Sequence, residues 1–185
     1  MAFQIEDGVG SGKLAKVNDE NHLSVEAVTH SRFSASSDNH GTAFSWTAVS
    51  ADIDTGDTML LVANNSTTQN LHINKIYVWA DVPAQFKVHV PAYVTPAGTT
   101  VVGVNLNRTS GKVADATAMA DETANVFAQA NVITTVRNNE ATADEFGQWI
   151  DYEGALILGY HQSVAVDIIG ESAEFQCTIT GFFHD

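Results

Sequence analysis

The chain has 185 residues, 44% of them hydrophobic, and its 22 acidic and 8 basic residues give a net charge of −14 at pH 7. This length is enough for one well-buried core. The basic residues never cluster, whereas phosphate backbones and anionic membrane surfaces attract concentrated positive charge. The composition therefore predicts a protein that binds neither nucleic acid nor membrane.

The first thirty residues differ from the rest. Residues 7–12 read DGVGSG, a stretch that packs little, and residues 23–30 alternate with the period of two that is typical of a strand. Such a segment is too small to hold a fold alone. We predict that residues 1–30 form an extended N-terminal arm that becomes ordered on a partner. The alternative is an ordinary first hairpin of the domain.

From residue 31 onward, short apolar or alternating stretches are separated by turn residues. The apolar phase of residues 71–82 slips once near Asn74-Lys75, which indicates a β-bulge. The alanines of residues 112–131 favour a helix, but the i, i+3, i+4 apolar stripe of a long helix is missing, and residues 104–124 are predicted to form a long loop with at most one helical turn. The predicted strands cover residues 42–50, 58–64, 71–82, 85–90, 126–138, 148–153, 155–160, 163–170 and 173–185.

This pattern of strands without a long helix or an internal repeat predicts an all-β fold. All-β chains of this length form sandwiches, jelly rolls or barrels. The predicted fold is a jelly-roll β-sandwich of about eight principal strands over residues 31–185, preceded by the arm.

No set of residues is arranged for catalysis, and we predict a non-enzymatic protein without cofactor or metal. The single cysteine, Cys177, lies in an alternating stretch typical of a core strand, and one cysteine cannot form an intrachain disulfide. No two histidines are two positions apart, as the His-x-His pair of a cupin metal site requires. With 22 acidic residues, a glycosidase-type carboxylate pair stays open.

Two further features leave alternatives open. The acidic turn at residues 51–57, ADIDTGD, breaks the EF-hand spacing, so a plain turn is favoured over a weak cation site. The aromatic residues favour packing in the core or at a subunit interface, and a sugar-binding platform is the alternative. Trp79 is out of phase with Val78 and Ala80 and is expected to face the opposite side of its sheet. The aromatic residues considered are Trp46, Trp79, Trp149, Tyr77, Tyr93, Tyr152 and Tyr160.

Four stretches resemble the structural proteins of tailed-bacteriophage virions. The opening FQIEDGVGSGKLAKVNDENHLSVEAVTHS is similar to their N-terminal arms. The stretches LLVANNSTTQNLHINKIYVWADVPAQFKVHVP and PAGTTVVGVNLNRTSGKVADATA resemble their jelly-roll domains, and ALILGYHQSVAVDIIGESAEFQCTITGFFHD resembles their last three strands. The resemblance covers nearly the whole chain, but it rests on turn and strand patterns rather than on catalytic motifs.

The resemblance implies a decoration or cement protein on the outer surface of a phage capsid. Its implied partners are the major capsid protein and itself, as a homotrimer. In this hypothesis the arm bridges neighbouring subunits, with apolar anchors and two lysines that meet an acidic capsid surface. These arm residues are Phe3, Ile5, Lys13, Leu14, Lys16, Val17, Leu23 and Val25. The alternatives are a head-fibre, tail or receptor-binding module that recognises host glycans through Trp79 and the tyrosines, and a cellular carbohydrate-binding module.

Overall fold

The structure, a computed structural model, describes residues 16–17, 23–24, 31–50, 53, 57–91, 98–122, 131–138, 147–170 and 174–184. The chain divides into two units, Met1–His30 and Ser31–Asp185. In the first unit, strand β1 (Lys16–Val17) pairs antiparallel with β2 (Leu23–Ser24), and Lys16 lies opposite Ser24.

The second unit begins with a short helix, α1 (Arg32–Ala35), which continues into a π-helical turn (Ser36–His40). The Ser31 side chain caps α1 by accepting a hydrogen bond from the Ser34 backbone N–H at 3.1 Å. The turn ends at Gly41, whose φ of 60° is the left-handed conformation that glycine adopts without strain. These elements precede the first long strand of the domain.

The remaining elements of the described residues are strands in two antiparallel sheets that pack together. They are β3 (Ala43–Ser50), β4 (Thr58–Asn64), β5 (Asn70–Ala80), β6 (Ala84–His89), β7 (Thr99–Thr100), β8 (Val104–Asn105), β9 (Ala116–Glu122), β10 (Val132–Asn138), β11 (Gln148–Leu158), β12 (Ser163–Ile169) and β13 (Phe175–His184). The five-stranded sheet has the order β11-β5-β13-β3-β8, and the six-stranded sheet has the order β10-β6-β12-β4-β9-β7. The prediction of an all-β fold is confirmed.

The core lies between the two sheets and contains the inward-facing residues of both. Alternation predicted the buried face of β5 correctly, because Ile73, Ile76 and Val78 are fully buried. The predicted bulge is also confirmed. Along β13, Thr180 lies opposite Lys75 and Gly181 opposite Ile73, so that Asn74 is the extra residue. Cys177 is fully buried in this core, as its alternating context indicated.

The predicted loop over residues 104–124 is wrong, since β8 and β9 lie within it. β9 pairs with β4 from Thr58↔Glu122 to Asn64↔Ala116 and buries Ala118 and Ala120. Alanine is small and favours helices in isolation, so these inward positions did not register as a strand pattern. The two strands predicted at 148–153 and 155–160 are in fact one strand, β11, with an irregularity between Asp151 and Leu156.

Candidate functional site

The outer face of the five-stranded sheet carries three rows of cross-strand neighbours. Residues along these rows alternate with the buried residues of the core, because successive side chains on a strand point to opposite faces. The rows are Trp79–Gln176–Val49, Trp149–Tyr77–Thr178–Thr47 and Asp151–Lys75–Thr180–Ser45. Aromatic, hydroxyl and charged groups therefore lie side by side on a single face.

An open groove of about 650 Å³ runs across this face. The volume is within the range of small-molecule sites. Side chains from three strands (β5, β11 and β13), from the residue that follows β8 and from the start of α1 surround it, so residues distant in sequence meet there. The lining residues are Ser31, Arg32, Phe33, Asn74, Lys75, Leu106, Trp149, Asp151, Glu153 and Thr180.

Helix α1 bounds one end of the groove. The Phe33 ring packs edge-on against Phe182, with ring centroids 6.2 Å apart, and Phe182 stacks on His72 at 5.0 Å. The uninterrupted alternation of β13 places Phe182 on the outer face beside His72, while the next residue, Phe183, points into the core. This aromatic packing attaches α1 to the sheet and fixes the position of Phe33.

Trp149 is the largest exposed apolar group of the groove. Its side chain is 60% exposed, although it lies on a regular strand and pairs directly with Tyr77. The two ring centroids are 5.0 Å apart at an angle of 51°. Tyr77 thus supports the indole from one side and leaves much of the rest in contact with solvent, which is the arrangement of a binding platform.

A charged pair lies beside the tryptophan. The Lys75 ammonium nitrogen is 2.9 Å from a carboxylate oxygen of Asp151, and the other carboxylate oxygen accepts a hydrogen bond from the Glu153 backbone N–H at 2.9 Å. These two hydrogen bonds, the one from Lys75 first, hold the pKa of Asp151 below its ordinary value. The carboxylate is therefore ionised and fixed in orientation.

The bulge that follows Asp151 directs Glu153 into the groove. Glu153 has a φ of 51°, an uncommon conformation for a residue with a side chain, and Gly154 follows with a φ of 78°. The Gly154 carbonyl oxygen is 2.9 Å from Nδ1 of the buried His72, whose N–H donates to it. Bulges of this kind re-aim side chains next to binding sites.

No family model, curated protein or solved structure matches this chain.

A second polar cluster lies on the six-stranded sheet and is buried. His89 Nε2 is 2.8 Å from a carboxylate oxygen of Asp167, and the Thr58 hydroxyl donates to the other oxygen at 2.8 Å. The three residues come from adjacent strands β6, β12 and β4. His89 lies on the face of β6 opposite to the core residues Phe86 and Val88, and it is buried as well. The cluster joins strands and is closed to solvent.

Most of the predicted arm residues lie outside the described part of the chain: Phe3, Ile5, Lys13, Leu14 and Val25. Lys16, Val17 and Leu23 lie in the β1–β2 pair, where the backbone register is described. Within the acidic turn, Asp52 and Asp54 are also outside the described residues.

The aromatic residues separate into two groups. Trp46 is fully buried and contributes to the core, and Tyr152 is half-buried with its hydroxyl 2.8 Å from that of Thr134. Trp79 lies on the outer face, as predicted from its phase, and Tyr77 and Trp149 lie on the same face. Tyr160 is exposed at the end of β11, away from the groove, and Tyr93 is outside the described residues.

Sequence reasoning missed the polar half of the groove. Lys75 and Asp151, and the contribution of α1, were not singled out. The sequence did contain an indication of the groove, because residues two apart on a strand lie on the same face. Trp149, Asp151 and Glu153 are spaced in this way on one strand, and Lys75 and Tyr77 on another. Only strand pairing brings the two sets together.

Among the described residues, no group of three His, Cys, Asp or Glu side chains could hold a metal ion. None of the described helices has the length and apolar character of a membrane span.

Proposed function

We propose that the sandwich is a jelly roll. Apart from β9, the domain has eight long strands, which pair like one long hairpin that is folded over. The first of them pairs with the last, and the fourth pairs with the fifth. These nested pairs are β3–β13, β4–β12, β5–β11 and β6–β10. Two more pairs, β5–β13 and β6–β12, join the nested pairs into the two sheets. A jelly roll is two such sheets built from eight strands.

We further propose that the protein is a non-enzymatic virion structural protein that decorates and cements the outside of a phage capsid. The nested strand pairing is the observation that carries this proposal, because it supports the fold that the sequence resemblance implies. Three of the four stretches that resemble phage structural proteins, residues 60–91, 96–118 and 155–185, supply strands to both sheets.

Charge and the first unit agree with this function. A net charge of −14 suits a protein separated from packaged DNA by the capsid shell. The β1–β2 pair has two residues per strand, and an isolated two-stranded ladder is at best marginally stable in water. A partner that supplies a platform would stabilise it by strand addition or by apolar contact. The proposed partners are the major capsid protein and two further copies of this chain.

The absence of catalysis is part of the proposal. The one thiol is that of Cys177, and burial raises its pKa, which keeps it protonated and unreactive. The buried His89–Asp167 pair has no open side from which a substrate would approach.

Incorporation into phage heads tests the role of the arm. Deleting residues 2–30 is expected to reduce occupancy on purified heads while circular dichroism still reports a β-sandwich. The double variant Lys13→Glu/Lys16→Glu is expected to reduce occupancy as well. Lys112→Glu, an exposed charge reversal in the second unit, is the matched control. Undiminished occupancy of the deletion variant would refute the arm hypothesis.

Copy number tests the location. A decoration protein is expected in numbers that match the capsid lattice, and labelled protein should cover the head surface in electron micrographs. A few copies confined to the neck, the tail or a fibre would instead support the receptor-binding alternative. This measurement needs no variant and is independent of the arm experiment.

A further inference from the structure

We propose that the groove on the five-stranded sheet binds a neutral saccharide, with one sugar ring stacked on Trp149. This function is additional to capsid decoration and does not depend on it. The inference rests on three properties of the groove: an exposed aromatic platform, fixed polar groups around it and balanced charge.

The platform is the indole of Trp149. A pyranose ring has a face of C–H groups that carry partial positive charge, and the face of an aromatic ring is negative. Trp149 is 60% exposed and backed by Tyr77 at 5.0 Å, so the ring is available and restricted in motion. Trp149 lies beside Tyr77 on the same face as Trp79, and grouped aromatic surface of this kind marks interaction sites.

The polar groups are those that sugar hydroxyls require. A hydroxyl both donates and accepts, so neighbouring hydroxyls on one sugar pair with a carboxylate and an ammonium side by side. Lys75 and Asp151 offer this combination 2.9 Å apart, and their side chains are 45% and 42% exposed. The amide of Asn74, the carboxylate of Glu153 and the hydroxyl of Thr180 extend the set along the groove.

The charge of the groove favours a neutral ligand. Arg32 and Lys75 contribute two positive charges, and Asp151 and Glu153 contribute two negative charges. The balance differs from the strongly acidic chain as a whole. An anionic ligand would meet two carboxylates within the groove, and a cationic one would meet two basic groups. A phosphate-containing or sialylated ligand is therefore disfavoured.

The experiment measures binding of neutral oligosaccharides to the 185-residue protein. Isothermal titration calorimetry gives the affinity, and the NMR signal of the Trp149 indole N–H reports on the site. The probes are short oligomers of glucose, galactose, mannose and N-acetylglucosamine, compared with sialyllactose and a heparin oligosaccharide. At least one neutral oligomer is expected to bind and to shift the Trp149 signal. Preferred binding of an anionic probe, or binding of none, would overturn the proposal.

Two variants locate the site. Trp149→Ala is expected to weaken binding at least tenfold, and Asp151→Asn, which keeps the shape of the side chain, is expected to weaken it severalfold. Tyr160→Ala removes a similarly exposed aromatic ring that does not line the groove, and it is the matched control. Unchanged unfolding midpoints would establish that the variants are folded. Sugar binding that survives both groove substitutions contradicts the assignment.

Capsid incorporation of the same groove variants separates this proposal from the proposed function. Normal head occupancy with loss of sugar binding is the expected result. If the groove variants lose head occupancy and the parent protein binds no sugar, the groove is a protein interface and the saccharide proposal is refuted.

Discussion

Asn64 offers a sharp test of how the two sheets are joined. It is the last residue of β4 and is fully buried. Its Nδ2 donates to the carbonyl oxygens of Gln69 and Leu158, both at 2.9 Å, and its Oδ1 accepts from the Ser66 backbone N–H at 2.9 Å. Because Leu158 ends β11 in the other sheet, one side chain ties the sheets together and shapes the β4–β5 turn.

Replacing Asn64 with alanine removes all three hydrogen bonds and leaves two carbonyl oxygens without this donor. At about 1 kcal/mol for each bond, the loss is about 3 kcal/mol of unfolding free energy. For a domain of this size that corresponds to a fall in Tm of roughly 6–12 °C. Urea unfolding followed by circular dichroism measures the change, and the m value should stay constant.

Asn70→Ala is the matched control, because Asn70 is exposed at the start of the next strand. It is expected to change stability by less than about 0.5 kcal/mol. If Asn64→Ala costs no more than this control, the side chain does not link the sheets, and the reasoning is refuted.

The variant Asn64→Asp adds a dependence on pH. An ionised carboxylate there would face two carbonyl oxygens in a buried site, so its folded-state pKa would be raised above the unfolded value of about 3.9. Its stability relative to the parent protein is therefore greatest below that unfolded value and falls as pH rises towards the folded pKa. A stability difference that is flat between acidic and neutral pH would contradict this account.

Three further predictions follow from individual contacts. Because Cys177 is buried and its pKa is raised, a thiol reagent should label it in urea but not in the native protein; rapid native labelling would contradict its burial. Gly181→Ala should lower stability by about 1–3 kcal/mol, because a Cβ there would lie 2.7 Å from the His72 carbonyl oxygen; an unchanged unfolding midpoint would argue against this close packing. The depressed pKa of Asp151 predicts that its carbon-13 carboxyl titration has a midpoint below the ordinary range, and that Lys75→Met raises it. The associated stabilisation is present above the unfolded pKa and is lost as pH falls through the folded one; an ordinary midpoint in the parent protein would mean that the pair does not persist in solution.

The local pattern predicted much of the fold. β4 begins and ends at the predicted residues, and the phase slip in β5 located the bulge at Asn74. These features depend on the alternation of side chains between two faces, which can be recognised from consecutive residues of the sequence. β9 was not predicted as a strand, because its inward positions are alanines, whose small size gives a weak hydrophobic pattern.

The groove was less accessible to sequence reasoning. The phase of Trp79 correctly predicted an outward-facing aromatic residue, and parity alone places Trp149 on the same side of β11 as Asp151. Nothing local indicates that β11 pairs with β5, or that α1 lies at the end of the same face. The approach of Lys75 to Asp151 and the packing of Phe33 on Phe182 follow from those long-range arrangements.

The sequence by itself determined the charge, the positions of most strands and the face that each strand buries, because these depend on composition and on a period of two. Tertiary structure alone decided which strands became neighbours, since many pairings satisfy the same alternation. That choice brought Trp149 beside Tyr77 and Lys75 beside Asp151, and it gave the five-stranded sheet its groove.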